Sequence, residues 1–130
     1  MKKLFTCQKG FSLIELLVVM SIIGVLATIA IPKFTSTIQL ANTAKVQSDL
    51  QTLNAAIVMY QAQNGKYPSN ISPDLAEYIV NIDNLKPPSG NCLLRDGNVI
   101  SVTDTAYSLS ADQTQALCQN HSVTDFGRKQ

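Results

Sequence analysis

The feature that most constrains this chain is the run from Phe11 to Ile31, which carries one charge, Glu15, in 21 residues. As a helix it would span about 30 Å, one hydrocarbon core. Lys2, Lys3 and Lys9 precede it, and the positive end of a single span stays in the cytoplasm. The bulk of the chain is then expected outside the inner membrane. Targeting must therefore be read before fold.

Three readings of the N-terminus compete. A secretory signal peptide would be cut after a small-residue site, loosely met by Thr28-Ile29-Ala30. The apolar run is long for that, and Glu15 would spoil its core. A plain signal-anchor helix fits the length but leaves Glu15 unexplained. Cleavage between Gly10 and Phe11 accounts for the basic leader, the glycine and the acid together.

An ionised carboxylate in lipid is costly unless paired. Cleavage after Gly10 would give Phe11 a free α-amine, a cation four residues before Glu15. In an assembly, Glu15 of one subunit could neutralise that amine on a neighbour. Only one axial offset would bring the charges together, so Glu15 would set register. The alternative is a carboxylate at the headgroup boundary that snorkels to water.

The stretch Gly10-Phe11-Ser12-Leu13-Ile14-Glu15-Leu16-Leu17-Val18-Val19, followed by Ile23-Gly24-Val25-Leu26-Ala27 and Ile29-Ala30-Ile31-Pro32, resembles the class III signal and N-terminal helix of type IV pilins and type II secretion pseudopilins. The resemblance implies cleavage after Gly10 by a membrane aspartyl prepilin peptidase and N-methylation of Phe11. It implies self-assembly into a helical homopolymer, driven by an inner-membrane platform and a cytoplasmic ATPase. The precursor would sit in the inner membrane, N-terminus cytoplasmic, and the product in a periplasmic or extracellular filament.

Three segments follow: a leader, 1–10; a transmembrane or filament-core helix, 11–32; and a head, 33–130, that includes the second half of the long helix. Pro32 removes a helix hydrogen bond and should kink the helix. Gly24 is a second weak point, read either as flexibility or as close helix packing. Val46, Leu50, Leu53, Ile57 and Tyr60 then form one apolar stripe, with Gln47, Ser48, Gln51, Thr52 and Asn54 solvated. Asn64-Gly65 should stop the helix. The segment Met59 to Pro68 resembles the helix end of major pseudopilins and short bacterial pilins.

In the second half, Ser72-Pro73-Asp74 reads as the start of a short helix ending near Val80. Pro87-Pro88-Ser89-Gly90 reads as a loop. Cys92–Arg95 and Asn98–Val102 read as a hairpin about an Asp96-Gly97 two-residue turn. Thr105–Ser110 is a third strand. The expected fold class is α+β: a long N-terminal helix packed on a small antiparallel sheet. So small a sheet is marginal without a staple. Cys7 lies in the leader, which leaves Cys92 and Cys118 as an even pair. A disulfide is expected over two free thiols, and it resembles the disulfide-bounded C-terminal region of type IV pilins.

No catalytic constellation is present, and the chain is not expected to be an enzyme. His121, the single histidine, reads as a surface loop residue, and no Cys-x-x-Cys exists, so a metal centre is not expected. Asp104, Asp112 and Asp125 could donate oxygens to calcium, as the pseudopilin resemblance allows, without an acid-dense ligand spacing. The repeat of Ser101-Val102-Thr103-Asp104 at Ser122-Val123-Thr124-Asp125 suggests two similar turns, and the tail from Phe126 to Gln130 is expected to be exposed. The net charge is +1, and loss of Lys2, Lys3 and Lys9 leaves seven basic against nine acidic side chains, a net of −2. That argues against general nucleic-acid binding, although Lys66, Lys86, Arg128 and Lys129 could form a local patch. The reading is a structural subunit of a type IV pilus-like filament. The alternatives are a type II secretion pseudopilin or a non-polymerising, membrane-anchored binding domain.

Overall fold

The computed structural model describes residues 10–129. Lys2, Lys3, Cys7 and Lys9 lie outside the described residues. One helix, α1 (Leu13–Asn64), accounts for 52 residues. It ends where expected: Gly65 has φ +68° and donates its N–H to the Gln61 carbonyl at 2.8 Å, a left-handed C-terminal cap. Pro32 does not end the helix, as α1 runs through it. Without an N–H, Pro32 leaves the Thr28 carbonyl short of its helical donor. Compact packing divides the chain between Thr35 and Ser36.

Within the second unit the stripe reads true. Val46, Leu50, Leu53 and Ile57 have no exposed surface, while Tyr60 is half-buried against Tyr78, ring edge to ring face. The core they share includes Leu75, Cys92, Leu94, Val102, Tyr107, Ala116, Cys118 and Phe126.

The architecture is α+β, with the strands in two small antiparallel sheets rather than one. The first pairs β1 (Gly90–Leu93) with β2 (Val99–Val102), Gly90 opposite Val102 and Leu93 opposite Val99. The second pairs β3 (Ser108–Leu109) with β4 (Ala116–Leu117). The partner of the third strand is thus a segment whose polar neighbours hid it. The β1–β2 connection is one residue longer than the expected turn. Leu94 N–H bonds the Asn98 carbonyl at 2.9 Å, and Gly97 N–H bonds the Leu94 carbonyl at 3.0 Å. Gly97, with φ +95°, is therefore the left-handed third residue of a three-residue loop.

Other expectations fail for local reasons. Residues 72–80 form successive turns, not a helix. Asp74 accepts the N–H groups of Ser69 and Asn70, at 2.8 and 3.0 Å, holding the preceding loop rather than a helix start. The two Ser-Val-Thr-Asp copies differ: Ser101 and Val102 end β2, whereas Asp125 closes a turn on the Ser122 N–H at 2.7 Å. The tail is not all exposed. Phe126 is fully buried and bridges Leu94, and among the described residues beyond it Arg128 and Lys129 are exposed.

Polar side chains of α1 hold the strands. The Thr43 hydroxyl accepts the Leu93 N–H at 2.8 Å, Asn54 Oδ1 accepts the Ala116 N–H at 2.7 Å, and Gln47 donates to the Phe126 carbonyl at 2.8 Å. Asp49, buried in the stripe, accepts from Tyr107 at 2.7 Å and from Lys45 at 2.5 Å. Burial raises the Tyr107 phenol well above its ordinary value, and the Asp49 carboxylate adds to the rise. A buried hydrogen bond to a charged group contributes about 1.5–3 kcal/mol. Tyr107→Phe should therefore lower unfolding free energy by roughly that amount. Asp49→Ala, which leaves the buried phenol without its acceptor, should cost more; chemical denaturation of both variants measures the order.

Candidate assembly segment

The N-terminus of α1 is built by Ser12 and Glu15. The Ser12 hydroxyl accepts the Ile14 N–H at 3.3 Å, and Glu15 Oε2 accepts the Ser12 N–H at 2.9 Å. This is a capping box, Ser-x-x-Glu, which satisfies otherwise orphaned helix donors. The sequence carried this signal in plain form, and the emphasis on an intermolecular partner passed over it. Glu15 thus has a partner inside its own chain. Gly10, Phe11 and Ser12 precede the helix and are exposed.

From Leu13 to Ile31 nearly every large apolar side chain is exposed, Leu13 at 87% and Ile29 at 61%. An 18-residue window of α1 has mean hydropathy 2.6 with none of it buried. The helix is long and apolar enough to cross a membrane. Ile14, Glu15, Val18 and Val19 border a groove of ≈ 260 Å³. Gly24 lies within the exposed run, and a Cβ there would meet nothing within 4 Å in the same chain. Hydroxyls along the run bond back to the helix: Ser21 to the Leu17 carbonyl at 2.8 Å, and Thr28 to that of Val25 at 2.7 Å. They are polar groups that lipid would tolerate.

The remaining sequence candidates lie in the head. Cys92 and Cys118 are both fully buried, and both are free thiols in the structure. Burial pushes the Cys118 thiol up to about 11, with nearby Cys92 adding to the rise. Burial likewise raises Cys92, opposed by its hydrogen bond with the Thr43 side chain. His121 is half-exposed, edge-on to Phe126 with ring centroids 6.1 Å apart. Asp104 and Asp112 hold separate loops, accepting the N–H groups of Gln119 and Thr114. Among the described residues no three metal-binding side chains gather.

Residues 6–31 match the family model of the prokaryotic N-terminal methylation motif. Core protein G of the type II secretion system from Klebsiella pneumoniae is 42% identical over 62 residues, 48% of this chain and 44% of that protein. The Pseudomonas aeruginosa protein of the same name is 39% identical over the same shares. This chain therefore spans less than half the length of those relatives. Competence protein ComGC of Halalkalibacterium halodurans is 26% identical over 104 residues, 80% of this chain and all of that protein. No solved structure matches. The chain thus combines a capped, exposed apolar helix, long enough to cross a membrane, with a small α+β head. These matches make the N-terminal half of the chain similar to the type IV pilin and pseudopilin family.

Two predictions follow from this geometry. Ser12→Ala removes the cap and should cost about 0.5–2 kcal/mol of local helix stability. Faster amide exchange at Ile14 in detergent micelles, with the head amides unmoved, reads it. The second concerns the thiols. A thiol whose folded pKa is raised contributes stability that is complete below its ordinary value of 9.0 and is lost as pH climbs through the folded value, about 11 for Cys118. Reduced protein should therefore lose unfolding free energy from pH 9 upward. The double variant Cys92→Ala, Cys118→Ala should hold its own, lower value until Tyr107 begins to contribute above pH 10.

Proposed function

We propose that this chain is the structural subunit of a type IV pilus-like filament, polymerised through α1 after removal of the leader. The observation that carries the reading is the apolar half of α1, its large side chains exposed and its start capped by Ser12 and Glu15. Lipid covers that surface in the precursor. Neighbouring α1 helices replace lipid in the filament, so leaving the bilayer keeps the apolar area out of water. A prepilin peptidase cuts between Gly10 and Phe11, which precede the helix and are open to it. Phe11 is then N-methylated. An inner-membrane platform and a cytoplasmic ATPase drive insertion of subunits into the growing fibre. The precursor spans the inner membrane with its N-terminus in the cytoplasm, and the filament is periplasmic or extracellular.

In this reading Glu15 has two successive partners. Its own Ser12 N–H satisfies it in the single subunit. In the filament the carboxylate also meets the Phe11 amine of a neighbour, fixing axial offset. Gly24 and Pro32 leave α1 locally loose for bending. In an oxidising compartment Cys92 and Cys118 pass two electrons and two protons to a disulfide-exchanging oxidant and join. Closing that loop would contribute about 3 kcal/mol.

A second reading, a type II secretion pseudopilin, is favoured by the identity of the N-terminal half to the secretion proteins named core protein G. Calcium on the head and nucleic acid on Lys66, Lys86, Arg128 or Lys129 stay outside the proposal.

Gly10→Val should leave full-length precursor in the membrane. Glu15→Ala should insert and be cleaved, yet yield filaments reduced at least about tenfold, the cost of one lost charge pairing of ~1.4 kcal/mol. Sheared-filament yield and intact mass decide. Normal fibres from Glu15→Ala would sink the register role, and a recovered chain beginning at Met1 would sink the processing. The same spectrum, taken before and after reduction, should show a gain of about two mass units if the cysteines are joined.

A further inference from the structure

A groove of ≈ 630 Å³ opens in the head. One wall is continuous chain from Thr105 to Ala111, and the other comes from residues 69–72 and 82–86. The first wall is the outer edge of β3. Antiparallel pairs alternate between those that exchange hydrogen bonds and those that do not. The pair Leu109–Ala116 does not, because Ala116 donates its N–H to Asn54 on α1, at 2.7 Å, and the next residue, Ser110, bonds the Gln115 carbonyl at 2.9 Å. Cys118 likewise donates to the His121 carbonyl at 2.9 Å and not toward Tyr107. The main-chain N–H and C=O of Tyr107 and Leu109 therefore face away from β4, into the groove. No backbone hydrogen bond crosses between the two walls among the described residues.

We propose that this groove binds an extended segment of a partner polypeptide, added as a strand to the outer edge of β3. Thr105-Ala106-Tyr107-Ser108-Leu109-Ser110 contains no charge and no proline, the devices that usually guard an open edge. Main-chain groups two residues apart give affinity in such pairing, and side-chain surfaces give specificity. Here the facing wall supplies Ile71, Ile82 and Leu85 for alternate apolar side chains. Charge argues for a neutral main chain over a nucleic acid: Asp83 and Lys86 stand on the same wall with opposite signs. A sugar ring would want an open aromatic face, and Tyr107 is buried with its hydroxyl tied to Asp49. The ligand is thus an uncharged, extended peptide with β-branched or apolar residues at alternate positions.

The test uses the full chain in detergent micelles and the blocked pentapeptide acetyl-Thr-Val-Thr-Val-Thr-amide. Saturating peptide should slow amide exchange at Tyr107 and Leu109 about tenfold, with α1 amides from Leu13 to Ile31 unchanged. N-methylation of the peptide at the alternate residues that face β3 should abolish the effect. N-methylation at the intervening residues should preserve it. Leu109→Pro removes one edge donor and should weaken binding; if that variant does not fold, the two methylated peptides decide, since they alter the probe and not the protein. No protection at saturation, equal loss with both methylated peptides, or protection by cellohexaose or oligodeoxythymidine but not by peptide would each overturn the proposal.

Discussion

The head depends on α1 acting in place of missing strands. Two sheets of two strands each leave many backbone groups without partners, and buried unpaired groups cost about 1–3 kcal/mol each. Thr43, Gln47 and Asn54 meet three of them, on Leu93, Phe126 and Ala116. These residues flank the apolar stripe, so the surface that buries the core also satisfies its rim. The same helix face carries Asp49, to which Tyr107 and Lys45 are drawn. Loss of α1 from the head would thus remove both the apolar floor and the acceptors that fix strand position.

The other half of α1 is built on the opposite logic. Its apolar residues are exposed, and its polar side chains bond locally: the Ser21 and Thr28 hydroxyls to carbonyls one turn back, Glu15 to the Ser12 N–H. A helix whose polar side chains are met within the chain can exchange lipid for another helix at little electrostatic cost. Self-capping bears on the register argument. An acid already satisfied at home gains less from a neighbour's amine than an orphaned one would. In the proposed filament its effect would then be one of selecting the offset more than of supplying adhesion.

Much of this was legible in the sequence. The span, the stripe from Val46 to Ile57, the Asn64-Gly65 stop and the β1–β2 pairing all rest on periodicity or on one residue's backbone preference, which act locally. What escaped was non-local. Gln47 and Asn54 read as a solvated face until the Phe126 carbonyl and the Ala116 N–H, 79 and 62 positions later, are placed against them. Phe126 reads as tail until Leu94 bridges it. The helix expected after Ser72 failed because Asp74 reached backward to Ser69 and Asn70. The capping box is the instructive miss: Ser12 and Glu15 are a local signal at the correct spacing, hidden because the acid already had a more interesting explanation.

That miss ties the ends of the chain's logic together. If Glu15 had no partner of its own, an isolated precursor would hold an uncompensated acid near the bilayer, and the span would be harder to insert. With Ser12 at hand the acid helps the helix begin, three residues beyond the expected cut. The residues Gly10-Phe11-Ser12 thereby stay outside the helix and exposed, as the proposed cleavage would need. One carboxylate can then cap its own helix before it meets a neighbour in the proposed filament. The order of these roles follows from which donor is available at each stage: the Ser12 N–H always, the Phe11 amine only after cleavage.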